Sequence, residues 1–154
     1  MATEHGPTTG SLVWQLAMRW RTKVDRAVAP FGLTHAQYSA LGSLSAMTRK
    51  GLTPSQRDLA DYTGLGPIYV SKLVRSLEAN GLVTRQTDAA DTRIVRLALT
   101  DHGGDTIRQA MGVVRKLDRR LTASLGGPQG TRTCALKLTL QTLLEEARQT
   151  GDTP

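Results

Sequence analysis

Apolar residues recur at helical spacing along most of this chain, and the first stripe predicts a long amphipathic helix. Its members are Leu12, Leu16, Trp20, Val24 and Ala27. A four-residue stride keeps such side chains on one face of an α-helix. We expect this helix to begin at Ser11, after a flexible Gly/Pro/Thr-rich tail over residues 1–10, and to end at Pro30 and Gly32.

Two capping signals predict where the next helices begin. Thr34 precedes an apolar periodic segment, and Gln37 follows three residues later. This is the capping-box arrangement, in which each side chain binds the other residue's backbone N–H. The pattern recurs with Thr53 and Gln56, and Pro54 between them suits the first helical position because no N–H is needed there.

A glycine-bearing turn over residues 63–66 joins the third predicted helix to a fourth. Pro67 restarts the helix, and Asn80-Gly81 ends it with residues that tolerate a left-handed cap. The apolar stripe expected to be buried comprises Val70, Leu73, Val74 and Leu77. Two short helices joined by a tight turn are typical of a helix-turn-helix.

The opposite face of the fourth predicted helix carries one apolar residue together with polar and basic groups. Its members, spaced i, i+3, i+4 and i+7, are Ile68, Ser71, Lys72 and Arg75. Tyr69 lies beside them near the amino end. Hydroxyl, ammonium and guanidinium groups on one helix face can bind base edges and phosphates in a DNA major groove. A solvated surface face is the alternative interpretation.

A short β-hairpin is predicted directly after this unit. Residues 82–85 and 94–99 are β-prone, and a polar loop over residues 86–93 separates them. A helix-turn-helix followed by a hairpin forms a winged helix. Arg93 in the loop can then enter the neighbouring minor groove, where the potential is most negative.

Two aspartates in the predicted wing leave two interpretations open. Asp88 and Asp91 repel DNA unless they hold neighbouring arginines in position. Asp91 has three arginines within its expected reach, namely Arg93, Arg85 and Arg75. In the alternative interpretation, both carboxylates only stabilise the turn through hydrogen bonds to the backbone.

Charge changes this picture by its placement more than by its sum. The 154-residue chain carries 20 Lys+Arg and 13 Asp+Glu, for a net charge of +7, which favours a polyanionic partner. Residues 53–101 nevertheless contain six basic and six acidic groups. The winged helix is therefore expected to bind DNA through individually placed cations.

Composition excludes several classes of protein. Cys134 is the only cysteine, which excludes an intrachain disulfide framework and suits a reducing cytoplasm. No apolar run reaches the length of a membrane span, and the first ten residues lack the pattern of a secretory signal. The histidines show no metal-ligand spacing, so neither a metal nor a cofactor is expected. No phosphate-binding loop or catalytic triad indicates an enzyme.

The C-terminal third predicts more helix than one winged helix needs. A seam with three- and four-residue steps comprises Ile107, Ala110, Met111, Val114, Leu117, Leu121 and Leu125. A glycine-rich break over residues 126–130 follows. The last predicted helix carries Leu136, Leu140, Leu143, Leu144 and Ala147. We expect a partner subunit to cover this apolar surface.

Together, the motifs of residues 52–103 resemble the MarR family of bacterial transcriptional regulators. The resemblance rests on Leu52-Thr53 with Leu59-Ala60, the block over residues 70–85, the wing triplet Asp91-Thr92-Arg93, the closing Leu99-Thr100 with Gly103, and Gly32-Leu33-Thr34 with Gln37-Tyr38. Two wing positions depart from the family pattern. Ala89 replaces the usual proline and Thr92 replaces a basic residue, so weaker wing binding is expected.

The resemblance implies a mainly α fold with a small β-wing, in which dimerisation helices flank the winged helix-turn-helix. A single domain over residues 11–150 would include the winged helix-turn-helix at 34–101, the wing at about 86–93, and dimerisation helices at 11–30 and 103–150. The implied partners are double-stranded DNA and a second copy of the chain. The implied DNA-binding residues are Ser55, Gln56, Pro67, Tyr69, Ser71, Lys72, Arg75 and Arg93, with Asp91 supporting the wing.

The family's response to small aromatic or phenolic ligands implies an effector pocket between helices. The residues suited to line it are Trp14, Met18, His35, Tyr38 and Met111. Core packing or interface filling is the alternative role for these side chains. Cys134 does not match the position of the family's oxidant-sensing cysteine, so we interpret it as a packing residue.

Two functional interpretations follow from the sequence. In the first, the chain is a homodimeric cytoplasmic repressor that binds a palindromic operator and is released by a small ligand. In the alternative, it is an architectural or constitutive DNA-binding protein with the same winged-helix fold and no effector. A strong preference for one operator sequence would favour the first interpretation.

Overall fold

The computed structural model describes residues 6–149. Its α-helices are α1 (Thr9–Val28), α2 (His35–Arg49), α3 (Gln56–Thr63), α4 (Pro67–Ala79), α5 (Asp101–Leu121) and α6 (Thr131–Gln149). Its strands are β1 (Val83–Thr87) and β2 (Val95–Leu99). Short 3-10 helices at Ala29–Phe31 and Ala123–Leu125 follow α1 and α5. The predicted fold class, mainly α with one two-stranded wing, is confirmed.

The backbone divides after Val114, within α5, into two compact units. The core of the first unit comes from helices α1 to α5 and from the hairpin. Its fully buried side chains include Val24, Val28, Leu41, Leu44, Leu59, Val70, Val74, Leu77 and Ile107. The stripe predicted for the fourth helix, residues 70–77, is buried as expected.

Helix α1 begins two residues earlier than the sequence indicated. The Thr8 hydroxyl accepts a hydrogen bond from the Ser11 N–H, so the cap lies inside the segment predicted to be a flexible tail. Residues 1–5 of that tail lie outside the described part of the chain. The apolar stripe of α1 is buried at Val24, whereas Leu12 and Leu16 are exposed.

Helix α2 confirms its predicted capping box. The Thr34 hydroxyl accepts from the Gln37 N–H, and the Gln37 side-chain oxygen accepts from the Thr34 N–H. The amide nitrogen of the same Gln37 side chain donates to the Ser76 hydroxyl at 2.9 Å. One buried glutamine therefore both starts α2 and ties it to α4.

Helix α3 begins at a different residue from the one predicted. Ser55, and not Thr53, is the N-cap, and Asp58 replaces Gln56 as the capping-box partner. Pro54 is not the first helical residue, because its carbonyl accepts a hydrogen bond from the Leu97 N–H at 2.9 Å. Pairing with β2 keeps this segment extended until Ser55.

The Asp58 carboxylate makes the stability of α3 sensitive to acid. Hydrogen bonds from the Ser55 backbone N–H and then from its hydroxyl hold the pKa of Asp58 below its usual range. The folded pKa is below the unfolded one, so this stabilisation is present at neutral pH. It is lost as pH falls from about 4 through the folded pKa.

We predict that Asp58→Asn lowers the free energy of unfolding at pH 7 by about 0.5–1 kcal/mol, since it removes an anion from the start of a helix. Its acid destabilisation below about pH 4 should be shallower than that of the wild type. Urea unfolding between pH 3 and 7 measures both effects. Asp61→Asn removes the same charge later in α3 and is the control. Equal acid sensitivity of Asp58→Asn and the wild type would contradict the prediction.

Strand β1 reaches two residues further toward the loop than predicted, whereas β2 begins one residue later. Strands β1 and β2 pair antiparallel, with Val83 opposite Leu99 and Thr87 opposite Val95. The connecting loop therefore covers residues 88–94 and not 86–93. The Asp88 N–H donates to the Ile94 carbonyl at 2.9 Å and closes the loop.

The second unit exposes much of its apolar surface. Among described residues 115–149, only Thr122 and Thr133 are buried. The exposed leucines of α6 are Leu136, Leu138, Leu143 and Leu144. The predicted seam is wrong at its last position, because α5 ends at Leu121 and Leu125 lies in the following 3-10 helix.

Candidate nucleic-acid interface

A tight turn positions the start of α4 relative to α3. Gly64 ends α3 in the left-handed conformation (φ = 70°), and its N–H donates to the Ala60 carbonyl at 2.9 Å. Gly66 is the N-cap of α4, and Pro67 occupies its first turn. These residues confirm the predicted turn and produce the helix-turn-helix.

The two faces of α4 divide as the sequence predicted. The buried face packs in the core, and this packing fixes which side chains of α4 face outward. Pro67, Ile68, Tyr69, Lys72 and Arg75 are exposed on the other side, and Ser71 is partly exposed. This leaves one ammonium and one guanidinium group accessible to a polyanion.

The wing holds one arginine in a defined orientation. The Asp91 carboxylate accepts from Arg93 Nε at 3.0 Å and from Arg93 Nη2 at 2.9 Å. The Arg93 side chain is 88% exposed, so these two hydrogen bonds hold a cation that remains accessible to solvent. The same contact lowers the pKa of Asp91 and raises that of Arg93, chiefly through the side-chain hydrogen bond. The partner of Asp91 is thus Arg93.

The other two arginines considered for Asp91 lie elsewhere. Arg85 pairs with Glu78, with 3.6 Å between Nη1 and Oε2. Arg75 lies on the exposed face of α4. The sequence could not distinguish these partners because side-chain reach depends on how the hairpin packs against α4.

Asp88 fastens the wing to the rest of the winged helix. Its carboxylate accepts from Arg96 Nε at 2.8 Å, and Arg96 Nη1 donates to the Thr53 carbonyl at 2.9 Å. The Arg96 hydrogen bond is the main cause of the lowered pKa of Asp88. Asp88 also accepts from the Ala90 and Asp91 N–H groups. Each wing aspartate therefore binds an arginine as well as a turn N–H, so the alternative in which they only stabilise the turn is wrong.

A concave surface of about 850 Å³ lies between the wing and the starts of α3 and α4. Its lining includes the predicted residues Ser55, Gln56, Pro67, Asp91 and Arg93, together with Arg57, Asp58, Asp61, Ile94, Val95 and Arg96. We call this surface the wing groove. Three arginines and the polar amide of Gln56 give it groups that bind phosphate oxygens.

Sequence reasoning missed two arginines of the wing groove. Arg57 follows Gln56 at the start of α3, and its position beside a predicted phosphate ligand was the signal available. Arg96 stands on a short strand, where nothing in the local pattern indicates that it reaches Thr53. Its role became visible only from the packing of β2 against residues 53–55.

Comparison with known proteins agrees with this geometry. The family model described as MarR family matches residues 31–94. YdcH, an uncharacterized HTH-type transcriptional regulator of Bacillus subtilis, is 38% identical over 121 residues, which cover 77% of this chain and 82% of YdcH. This chain belongs to the MarR family of transcriptional regulators.

Two further comparisons extend the similarity. An HTH-type transcriptional repressor of Mycobacterium tuberculosis is 32% identical over 78% of this chain and 84% of its own length. The S. aureus MepR–DNA complex superimposes with a TM-score of 0.80 at 26% identity, covering 91% of this chain and 98% of MepR. The resemblance and the winged-helix fold predicted from the motifs are therefore confirmed.

The phosphate contacts predicted for this MarR-family chain at the start of α3 differ in accessibility. Ser55 is only 7% exposed, and its hydroxyl donates to Asp58 at 2.8 Å. Gln56 lines the wing groove and is partly exposed. Phosphate binding by Ser55 stays a prediction, and its buried, engaged hydroxyl argues against it.

The residues suggested for an effector pocket lie on three helices of the first unit. Trp14 and Met18 are exposed in the N-terminal half of α1, by 65% and 37% respectively. His35 and Tyr38 are half-buried on α2, and burial lowers the pKa of His35 although Asp25 opposes the shift. Met111 is half-buried on α5, beside Gly42. The pocket itself stays a prediction.

Within residues 6–149, no three His, Cys, Asp or Glu side chains are grouped so that they could hold a metal ion. No helix of that region has the length and apolarity needed to span a membrane. His5 lies outside the described residues. Cys134 is partly buried near the start of α6.

Proposed function

We propose that this MarR-family chain is a homodimeric, sequence-specific repressor of transcription that acts in the cytoplasm. The observation that carries the proposal is the set of exposed cations on α4 and on the wing. Lys72 and Arg75 stand exposed on α4, and Arg93 is oriented by Asp91 on the wing. In a winged helix this arrangement directs α4 to the major groove and the wing to the minor groove.

The relatives support the same function. The similar protein of M. tuberculosis is named a repressor, and the MepR structure is titled as a complex with DNA. The chain also supplies what a dimer requires. Leu12, Trp14 and Leu16 are exposed on α1. Several leucines are exposed on α6, and a second subunit would remove exposed apolar side chains of each unit from water.

The proposed dimer has a geometric consequence for the operator. Two-fold symmetry places two copies of α4 on one side of the duplex, so the half-sites are palindromic and about one helical turn apart. Selection from a random DNA pool followed by gel-shift titration tests this. The selected site should bind roughly 10³-fold more tightly than unrelated DNA. Equal binding to all sequences with a steep salt slope would favour the architectural alternative.

We also propose that a small phenolic ligand releases the repressor, with Trp14, Met18, His35, Tyr38 and Met111 lining its pocket. Salicylate at millimolar concentration should raise the melting temperature and weaken operator binding, since a ligand stabilises the state it binds. Thermal scans and gel shifts measure the two effects. If neither changes, the effector pocket is wrong while DNA binding stands.

The wing provides a separate prediction, because Asp91 is an anion placed beside DNA. Asp91→Asn keeps the acceptor for the Arg93 N–H but weakens the charged fork. We expect operator affinity to fall about two- to tenfold despite the gain in net positive charge, because binding must then order a loose arginine. Fluorescence anisotropy with labelled operator measures the affinity.

A second surface ion pair is the control for Asp91→Asn. Asp105 and Arg108 pair at 2.7 Å on α5, so Asp105→Asn removes the same charge without changing the wing. This control should bind operator like the wild type or slightly more tightly. An increase in affinity for Asp91→Asn would contradict the positioning role of Asp91.

A further inference from the structure

Ile68 is 77% exposed, more than any other large apolar side chain among residues 6–149. It does not belong to the buried face of α4, which is formed by Val70 and other residues of that stripe. A β-branched side chain is also a weaker helix former than alanine. Neither core packing nor helix propensity therefore accounts for Ile68.

The surroundings of Ile68 form a small, mainly apolar concavity. Its volume is about 340 Å³, and it is lined by Gly66, Pro67, Ile68, Tyr69 and Lys72. No carboxylate contributes to this lining. A ligand in this concavity would contact the apolar side chains of Ile68 and Tyr69 and the ammonium group of Lys72. Such a lining suits an apolar group that is part of a polyanion.

If α4 enters the major groove, as the proposed function requires, its first turn faces the edges of the bases. The 5-methyl group of thymine is the apolar group that DNA presents in that groove. We propose that Ile68 is a specificity-determining residue that contacts the 5-methyl group of a thymine in each operator half-site. This assignment gives a DNA contact to the apolar residue of the recognition face, which the contacts implied by the family resemblance leave out, and it rests on the proposed function.

Lys72 limits where that thymine can be. It follows Ile68 by four residues on the same face, which is about 6 Å along the helix axis. Base pairs are spaced about 3.4 Å apart along DNA. We therefore expect this thymine to lie within a few base pairs of the group that Lys72 contacts.

The test begins with sequence selection by wild type and by Ile68→Ala. The wild type should enrich a thymine at one position of each half-site, and Ile68→Ala should lose that preference while keeping the others. Deoxyuridine then replaces this thymine, which deletes only the methyl group. The wild type should lose about fourfold in affinity, the effect of burying one methyl group, and Ile68→Ala should change less than twofold.

A second exposed aliphatic residue serves as the matched control. Leu52 is 51% exposed in the turn after α2, so Leu52→Ala should respond to deoxyuridine as the wild type does. Unchanged thermal melting of Ile68→Ala shows that the variant folds. An equal response of wild type and Ile68→Ala to deoxyuridine overturns the assignment while the repressor function stands. Failure of the wild type to enrich any sequence overturns the proposed function, and this inference with it.

Discussion

Replacing Gly103 with alanine should lower the free energy of unfolding by about 3 kcal/mol. Gly103 is buried in the first turn of α5, against the backbone of Leu82. A Cβ atom there would overlap the Leu82 carbonyl oxygen and lie 2.8 Å from the carbonyl carbon. That carbonyl also accepts from the Thr100 N–H at 3.1 Å, so it cannot move away without breaking the junction between the hairpin and α5.

The neighbouring Gly104 supplies the control. Nothing lies within 4 Å of the position of its Cβ, and it stands in the same helix. Gly104→Ala should raise stability by about 0.5–1 kcal/mol, because alanine loses less backbone entropy in a helix. Chemical denaturation of both variants separates the two cases. Similar stabilities for the two alanine variants would contradict the close contact at Leu82.

Removing the Lys72 ammonium group should weaken operator binding by about 1–3 kcal/mol and also reduce discrimination between sequences. Lys72 stands on the exposed face of α4, where the proposed function puts base edges and phosphates. Arg93→Ala should weaken binding by a similar amount, but equally for every DNA sequence. The reason is that the wing contact depends on the electrostatic potential of the minor groove more than on base identity. The salt slope of this variant should be shallower by about one.

Gel-shift titration against operator and unrelated DNA at several salt concentrations measures both variants. Lys116→Ala removes an exposed cation from α5 and should change affinity little. If Lys72→Ala left affinity and discrimination unchanged, the assignment of α4 as the recognition helix would be wrong. If Arg93→Ala altered sequence preference, the wing would contribute base readout.

A segment with no net charge can still present cations to DNA when its acidic groups are bound within the protein. Residues 53–101 carry as many acids as bases, but several acids are engaged within the protein. Asp58 binds the Ser55 cap, Asp88 binds Arg96, and Asp91 binds Arg93. Carboxylates held in this way orient cations and turns, so net charge is a poor guide to the field at this surface.

Local signals predicted most of the helical framework correctly. The capping box at Thr34, the turn at Gly64 and the buried stripe of α4 depend on residues a few positions apart, and the structure has them as expected. The start of α3 shows the limit of such signals. Thr53 carries an N-cap pattern, yet the hydrogen bond from the Leu97 N–H to the Pro54 carbonyl holds that segment extended.

The residues of the candidate site likewise fall into those that local patterns predicted and those that depend on distant contacts. Sequence placed Lys72 and Arg75 on one face of α4, because helical periodicity alone decides that. It left the partner of Asp91 open and gave no sign of Arg96, whose contacts at Thr53 bridge 43 positions of sequence. Distant contacts of this kind depend on how strands and helices pack, which no local pattern contains.

The sequence by itself therefore determined the order of elements, the recognition face of α4 and membership of the MarR family through its spaced motifs. Only the tertiary structure decided which aspartate holds which arginine and why Gly103 must lack a side chain. It also decided how far Ile68 is exposed on that face. Periodicity and capping act within a helical turn, whereas ion pairs, close backbone contacts and exposure depend on neighbours that folding brings together.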